Sequence, residues 1–388
     1  RDVERSRGLG DVYKRQVWSP AEDQDEKKGN WLKTRCEAFN AAHPNWDLTF
    51  QYSVCGENNA STNVTKDAAA AADVYMFAND QLMKLIDGGA ISRLGGDIET
   101  YIRETNSEAI VNTVTVGDAV YGVPYTANTW FMYYDKRVFT EDDVKNLDKM
   151  LEVAASKNKK VSFKLTDSWY IASFYVGNGC TFFGDGTDES AGIDFEGEKA
   201  TAVTNYLIDL VNKPAYMTDD SGSGLAGLKD GSVAAFFSGT WDLSAAKEAL
   251  GEENVGIAQA PTYTLNGKEV QMKPFFGSKA VAVNKTSPNQ KVATQLALWL
   301  ANEDSQKTRY ESRGIVPCNT KLLESLKGDA LAAVQNGPSI MQPFVSKMNE
   351  YWTPAENMGK GITSGSCTHD NAEESTVEMN KAFNTEAL

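Results

Sequence analysis

Three short runs place an indole beside small polar or acidic side chains: Asp167-Ser168 before Trp169-Tyr170, Ser238-Gly239-Thr240 before Trp241-Asp242, and Asn349-Glu350 before Tyr351-Trp352. A flat ring covers the apolar face of a pyranose, while carboxylates and amides take its hydroxyls, so together these runs have the composition of a saccharide site. Any single Trp is more often core than site, which is why the set carries the reading and no member does. Paired carboxylates near such rings, Asp80 and Asp167 for example, also suit the acid and nucleophile of a secreted glycoside hydrolase, and spacing leaves that alternative open.

Other chemistries find little support. The two histidines are His43, just before Pro44, and His369 in a polar stretch; neither has a partner in the sequence pattern for a nucleophilic triad or a metal site. Gly222-Ser223-Gly224-Leu225-Ala226-Gly227 has the letters of a dinucleotide fingerprint, but polar Thr218-Asp219-Asp220 stands where a buried strand is required, so a flexible loop is expected. Asp185, Asp188, Glu189 and Asp194 lack the spacing of a calcium loop and read as solvated. The five cysteines, Cys36, Cys55, Cys180, Cys318 and Cys367, have no zinc or redox spacing, although Cys36 and Cys55 could be bridged. Neither a metal nor a cofactor is expected.

Elements that could position the rings follow from periodicity. Val17-Trp18 reads as a strand end running into a helix, with Ser19 as N-cap, Pro20 at the first helical position and Glu22 closing a capping box. Trp31, Leu32, Arg35, Cys36 and Phe39 recur at helical spacing until Pro44. Leu48, Phe50, Tyr52 and Val54 alternate as a half-buried strand, and residues 73–77 form the next strand, followed by a helix ending at Gly88-Gly89. This βαβα rhythm implies a parallel sheet whose carboxyl rim would carry Glu22, Asp23, Asn79 and Asp80. Extended segments at 121–125 and 130–134 mark a change of domain. Helices near 168–178 and 198–212 with a strand at 233–237 suggest a second α/β unit, 279–283 returns to a strand, and Trp299 in the apolar helix 292–300 is expected in a core.

The chain has 388 residues, enough for two to three domains, and 38 basic against 53 acidic residues give a net charge of -15. That charge opposes phosphate backbones and anionic lipid surfaces, which makes nucleic acid and membrane surfaces poor partners. No apolar run is long enough to span a bilayer. Residues 1–16 read as a non-native or disordered scar.

Seven segments in order then bear a family resemblance: VWSPAEDQ, ADVYMFANDQ with GGAISRL, YGVPYTANTWFMYYDK, FKLTDSWY, SVAAFFSGTW, KPFFGSKAVAVNKTSPN and MNEYWTPAENMGKGITSG. From Val17 onward the chain resembles the extracellular solute-binding proteins of carbohydrate ABC importers, most closely their maltose/maltodextrin branch. The resemblance implies an α/β, two-lobed periplasmic-binding-protein fold of type II character with discontinuous lobes joined by hinge strands. Lobe 1 would be 17–126 and 278–328, and lobe 2 129–276 and 333–388, with hinges near 126–129, 276–279 and 327–333. It further implies a sugar held between the lobes without chemistry upon it, delivery to ABC permease subunits, a monomer, and an extracytoplasmic location in a periplasm or as a cell-surface lipoprotein.

Carried over by position, the branch's polar contact after the first strand falls on Glu22 and Asp23, its acid after the third strand on Asp80, its second-lobe acid on Asp167, and its stacking rings on Trp169, Trp241 and Trp352. The sequence departs from the branch at Gln81, where an Arg is usual, at Asn128, where a Glu is usual, and at Trp169, where a Tyr is usual. The branch's charged position after the last Trp is not reproduced over Thr353 to Glu356. Amides in place of charges still bind hydroxyls, so a neutral oligosaccharide is expected.

Overall fold

The computed structural model describes residues 14–385. Contacts divide the chain into two units: one runs up to Asn128 and takes in Gly277–Lys327, the other comprises Thr129–Phe276 and the chain from Gly328 onward.

The first unit is built on a parallel ladder. Strand Lys14–Ser19 pairs in parallel with Thr49–Val54 on one side and with Val74–Ala78 on the other. Val74–Ala78 is buried throughout because both of its edges are paired; residues 279–283 run antiparallel to it. Those residues belong to Phe275–Val283, a strand shared by the two units, which also pairs antiparallel with Val123–Asn128. The ladder begins at Lys14, and Arg15 is fully buried within it, so the expected scar is too long by three residues; residues 1–13 lie outside those described.

The expected helix start also shifts. Ser19 ends the strand and its hydroxyl donates to the Pro20 carbonyl, so it caps nothing. Ala21–Gln24 is a single 3-10 turn, and the helix itself is Trp31–Ala42, burying Trp31, Leu32, Cys36 and Phe39 as their spacing requires. The capping-box letters therefore make a turn that presents Glu22 and folds Asp23 inward.

In the second unit a five-stranded sheet runs in the order Tyr216–Thr218, Lys160–Phe163, Val233–Ser238, Phe131–Asp135, Val255–Ala258, the first three parallel and the rest antiparallel. Helices Ser168–Gly177, Glu198–Val211, Trp352–Ser364 and Ala372–Phe383 contribute the apolar faces of one aromatic-rich core that includes Trp130, Phe163, Phe174, Tyr175, Tyr263 and Tyr351. The glycine-rich run is not a loop. It opens the helix Ser223–Asp230, with the Gly224 amide donating to Asp219 and Gly227 packed against Val233.

Several smaller expectations change with burial. All five cysteines are free and buried, and burial pushes the Cys36 thiol up to about 12. Trp299 is half-buried, not core: its ring meets Phe39 edge-on and carries the Arg35 guanidinium 4.9 Å from its centre. Both histidines do have neighbours. His43 stacks on Trp46 at 4.6 Å, and His369 lies 2.7 Å from both Asn205 and Asp209. Asp185 and Asp188 accept from the backbone two residues on, at Thr187 and Ser190, as turn-forming side chains do.

Candidate functional site

The aromatic candidates all lie in the second unit, and each is set by a local device. Asp167 caps the helix Ser168–Gly177, its carboxylate accepting from the Trp169 amide at 2.9 Å. Tyr351, fully buried, donates its phenol to the Ser168 carbonyl and fixes the same helix start from below. Trp169 projects half-buried at that start, and its indole N–H donates to Gln342 Oε1 at 2.9 Å. Trp241 follows the strand Val233–Ser238 in a 3-10 turn and is 54% exposed, one of three exposed large apolar side chains among the described residues.

The two indoles form a pair. Their ring centres are 6.1 Å apart at a tilt of 43°. Gly239 makes this placement of Trp241 possible: a Cβ there would fall 2.1 Å from the indole, so no larger residue fits beneath the ring. The Asp242 carboxylate accepts from Ser238 Oγ at 2.6 Å and ties the turn back to its strand. Trp352 heads the helix Trp352–Ser364, half-buried, edge-on to Phe275 at 6.1 Å and to Tyr351 at 5.2 Å.

Tyr170 is a correction. It is 3% exposed and stacks on buried Trp130 at 5.2 Å, with the Lys164 ammonium 5.3 Å from its ring centre. A helix that presents Trp169 turns its neighbour inward, so Tyr170 supports the platform and offers no surface to a ligand. Lys164 is held by Asp219 at 2.9 Å and by the Phe237 carbonyl, which locks the support in turn. Asp167 itself is exposed, and desolvation nevertheless raises its pKa above the usual carboxylate range, outweighing the Trp169 amide and Lys164.

In the first unit the rim residues stand where parallel-sheet logic places them, after Ser19 and after Ala78, but two of the four, Asp23 and Asn79, face inward. Asp23 is fully buried: Arg309 grips it with two bonds of 2.9 and 3.1 Å, and Arg313 adds a third of 2.6 Å. Burial works against ionising this carboxyl, yet the two guanidinium groups prevail and hold it below the usual carboxylate range. It is an internal anion, not a ligand contact. Arg309 also lies 4.0 Å from the centre of the Tyr125 ring, and the Tyr125 phenol donates to Glu57 at 2.6 Å.

Asn79 is likewise inward, 5% exposed, its Oδ1 accepting from the Ser278 amide at 3.0 Å. Gln81 Oε1 accepts from both the amide and the hydroxyl of Ser61. Two acids remain outward: Glu22, exposed and 3.8 Å from Arg313, and Asp80, exposed, with desolvation raising its pKa above the ordinary range despite Gln81, Lys84 and Lys279. Asn128 is half-buried at the last position of its strand. Glu57 stands after the second parallel strand as Glu22 and Asp80 stand after the first and third, but it too faces inward: it is 8% exposed, accepts from Tyr125 and lies 3.4 Å from Lys279.

Known proteins share this architecture along nearly the full length. A galactooligosaccharide-binding protein of Bacillus subtilis is 28% identical over 92% of this chain and 87% of its own. A maltooligosaccharide ABC transporter solute-binding lipoprotein of Streptococcus pneumoniae is 27% identical over 76% of this chain and 72% of its own. Among solved structures, one with acarbose is 49% identical with a TM-score of 0.86, covering 96% of this chain and 98% of the other. The maltodextrin-binding protein MalE1 from L. casei BL23, solved without ligand, is 25% identical with a TM-score of 0.87, covering 96% of this chain and 99% of the other. With the family pattern of bacterial extracellular solute-binding proteins matched over residues 34–340, the chain belongs to that family.

Proposed function

We propose that this chain captures a neutral oligosaccharide, a malto-oligosaccharide foremost, outside the cytoplasm and delivers it unchanged to the permease subunits of an ABC importer. The observation that carries the reading is the exposed Trp241 paired with a Trp169 whose edge is fixed by a hydrogen bond. An open indole backed by a second ring offers a flat apolar face, and a pyranose ring is a partner that fits it. Asp167, at the start of the helix that carries Trp169, supplies an acceptor for hydroxyls. Maltooligosaccharide binding by relatives, and acarbose in the structure 49% identical to this chain, support an α-glucan over other sugars.

The test is calorimetry with maltose, maltotriose and maltotetraose, alongside product analysis of each sugar. Saturable binding with every sugar recovered intact supports the reading. Released glucose would instead establish a glycoside hydrolase. A second occupant is favoured by one relative, the galactooligosaccharide-binding protein, so galactooligosaccharides belong in the same titration series. Tighter binding of that class would move the assignment from α-glucan to galactoside while leaving the capture role in place.

A further inference from the structure

Trp169 is held by a residue that none of the sequence motifs singled out. Its indole nitrogen can only donate, so the Gln342 atom 2.9 Å away must be the amide oxygen, which fixes the orientation of the whole carboxamide. The Gln342 backbone is pinned as well: it follows the short strand Ile340–Met341, which pairs with Phe275 and Phe276, and its own amide donates to the Phe276 carbonyl at 2.8 Å. With Oε1 committed, Nε2 keeps two N–H donors, and among the described residues no acceptor holds them. The side chain is half-buried at the edge of the aromatic platform.

We propose that Gln342 is a ligand-contacting residue with two duties: Oε1 sets the angle of the Trp169 ring, and Nε2 donates to a hydroxyl oxygen of the saccharide lying on that ring. This deepens the oligosaccharide reading and rests on it. The acids near the platform accept hydrogen bonds only, so a neutral sugar, whose hydroxyls both donate and accept, needs a donor there too. Gln342 provides it without the charge that would favour an anionic ligand. The contact also ties ring geometry to hydrogen bonding, since a sugar placed on a tilted ring would lose the Nε2 partner.

The full chain labelled with 5-fluorotryptophan separates the two duties. Trp169→Phe assigns the Trp169 fluorine resonance. Gln342→Glu keeps an acceptor for the indole but removes both donors, and Gln342→Met removes both functions. The expected result is that Q342M shifts the Trp169 resonance and weakens maltotriose binding roughly tenfold or more, while Q342E leaves the resonance in place and still loses roughly fivefold or more. Wild-type affinity in Q342E overturns the donor contact, and an unmoved resonance in Q342M overturns the ring-setting contact. Wild-type protein that binds neither maltotriose nor galactooligosaccharide sinks the oligosaccharide reading together with this one. Wild-type binding with Q342M unimpaired sinks this one alone.

Discussion

The two units treat their functional-looking residues in opposite ways. In the first, the acids and amides at the strand ends are spent largely on the protein itself: Asp23 on two arginines, Asn79 on a backbone amide, Gln81 on Ser61. In the second, the rings are braced from behind, with Tyr170, Tyr351 and Lys164 doing the bracing, Trp169 half-buried against the core and Trp241 facing out. Residue type and position alone do not separate a ligand contact from a strut. What separates them is whether a side chain stays open to solvent after the fold has been satisfied: Asn79 keeps an Nδ2 unpartnered among the described residues yet is buried, whereas Trp241 is open.

The largest effect that could break this contrast is on Asp23. Removing one partner of a buried, hydrogen-bonded ion pair strands the other charge, so Asp23→Ala is expected to lose about 3–5 kcal/mol of stability. Denaturant unfolding reads the loss directly. Sugar affinity of whatever folded fraction remains should be near wild type. An Asp23→Ala protein that melts normally but fails to bind would return Asp23 to the ligand and undo the distinction drawn for the first unit.

The tryptophans sharpen the same contrast inside the second unit. Trp130, 1% exposed, is expected to cost about 3–5 kcal/mol of stability on truncation to Ala. Trp241→Ala should leave the melting temperature nearly unchanged and weaken maltotriose roughly tenfold, from lost stacking of about 0.5–1.5 kcal/mol together with lost apolar contact. Trp169→Ala and Trp352→Ala should fall between, each losing some stability because their rings are half-buried. Melting temperature and affinity measured on the four variants would contradict the platform if Trp241→Ala behaved like Trp130→Ala.

The sequence made the second unit more legible than the first for a physical reason. A large ring beside a helix cap or a glycine has few places to go: Asp167 and Gly239 are local signals, read within a few residues, and they set Trp169 at its helix start and leave Trp241 exposed. The fate of Asp23 depends on Arg309 and Arg313, nearly three hundred residues away, and no local pattern around Ser19-Pro20 reveals them. The same holds for Tyr170, whose neighbour is a ring from Trp130, and for Gln342, whose partner is Trp169. Parallel-strand logic locates the rim of the first unit. It could not say which rim side chains turn inward.

The smallest expected effect is a separation in pH between binding and stability. Desolvation raises the carboxyls of Asp80 and Asp167 above the usual carboxylate range, so on acidification they take up protons before an ordinary aspartate does. Each then loses the charge that strengthens a hydrogen bond from a sugar hydroxyl. Asp23 has a folded pKa held below the unfolded value of about 3.9, so its contribution to stability is fully present above that value and is lost as pH falls through the lower, folded one. Affinity for maltotriose should therefore weaken severalfold at a pH where the Asp23 contribution to the melting temperature is still intact. Asp80→Asn and Asp167→Asn, whose amides do not titrate, should flatten the early part of the affinity curve and leave the later loss of stability where it was. If affinity and melting temperature instead declined together in wild type and both variants, the outward acids would not be taking part in binding, and the platform would act through its rings and Gln342 alone.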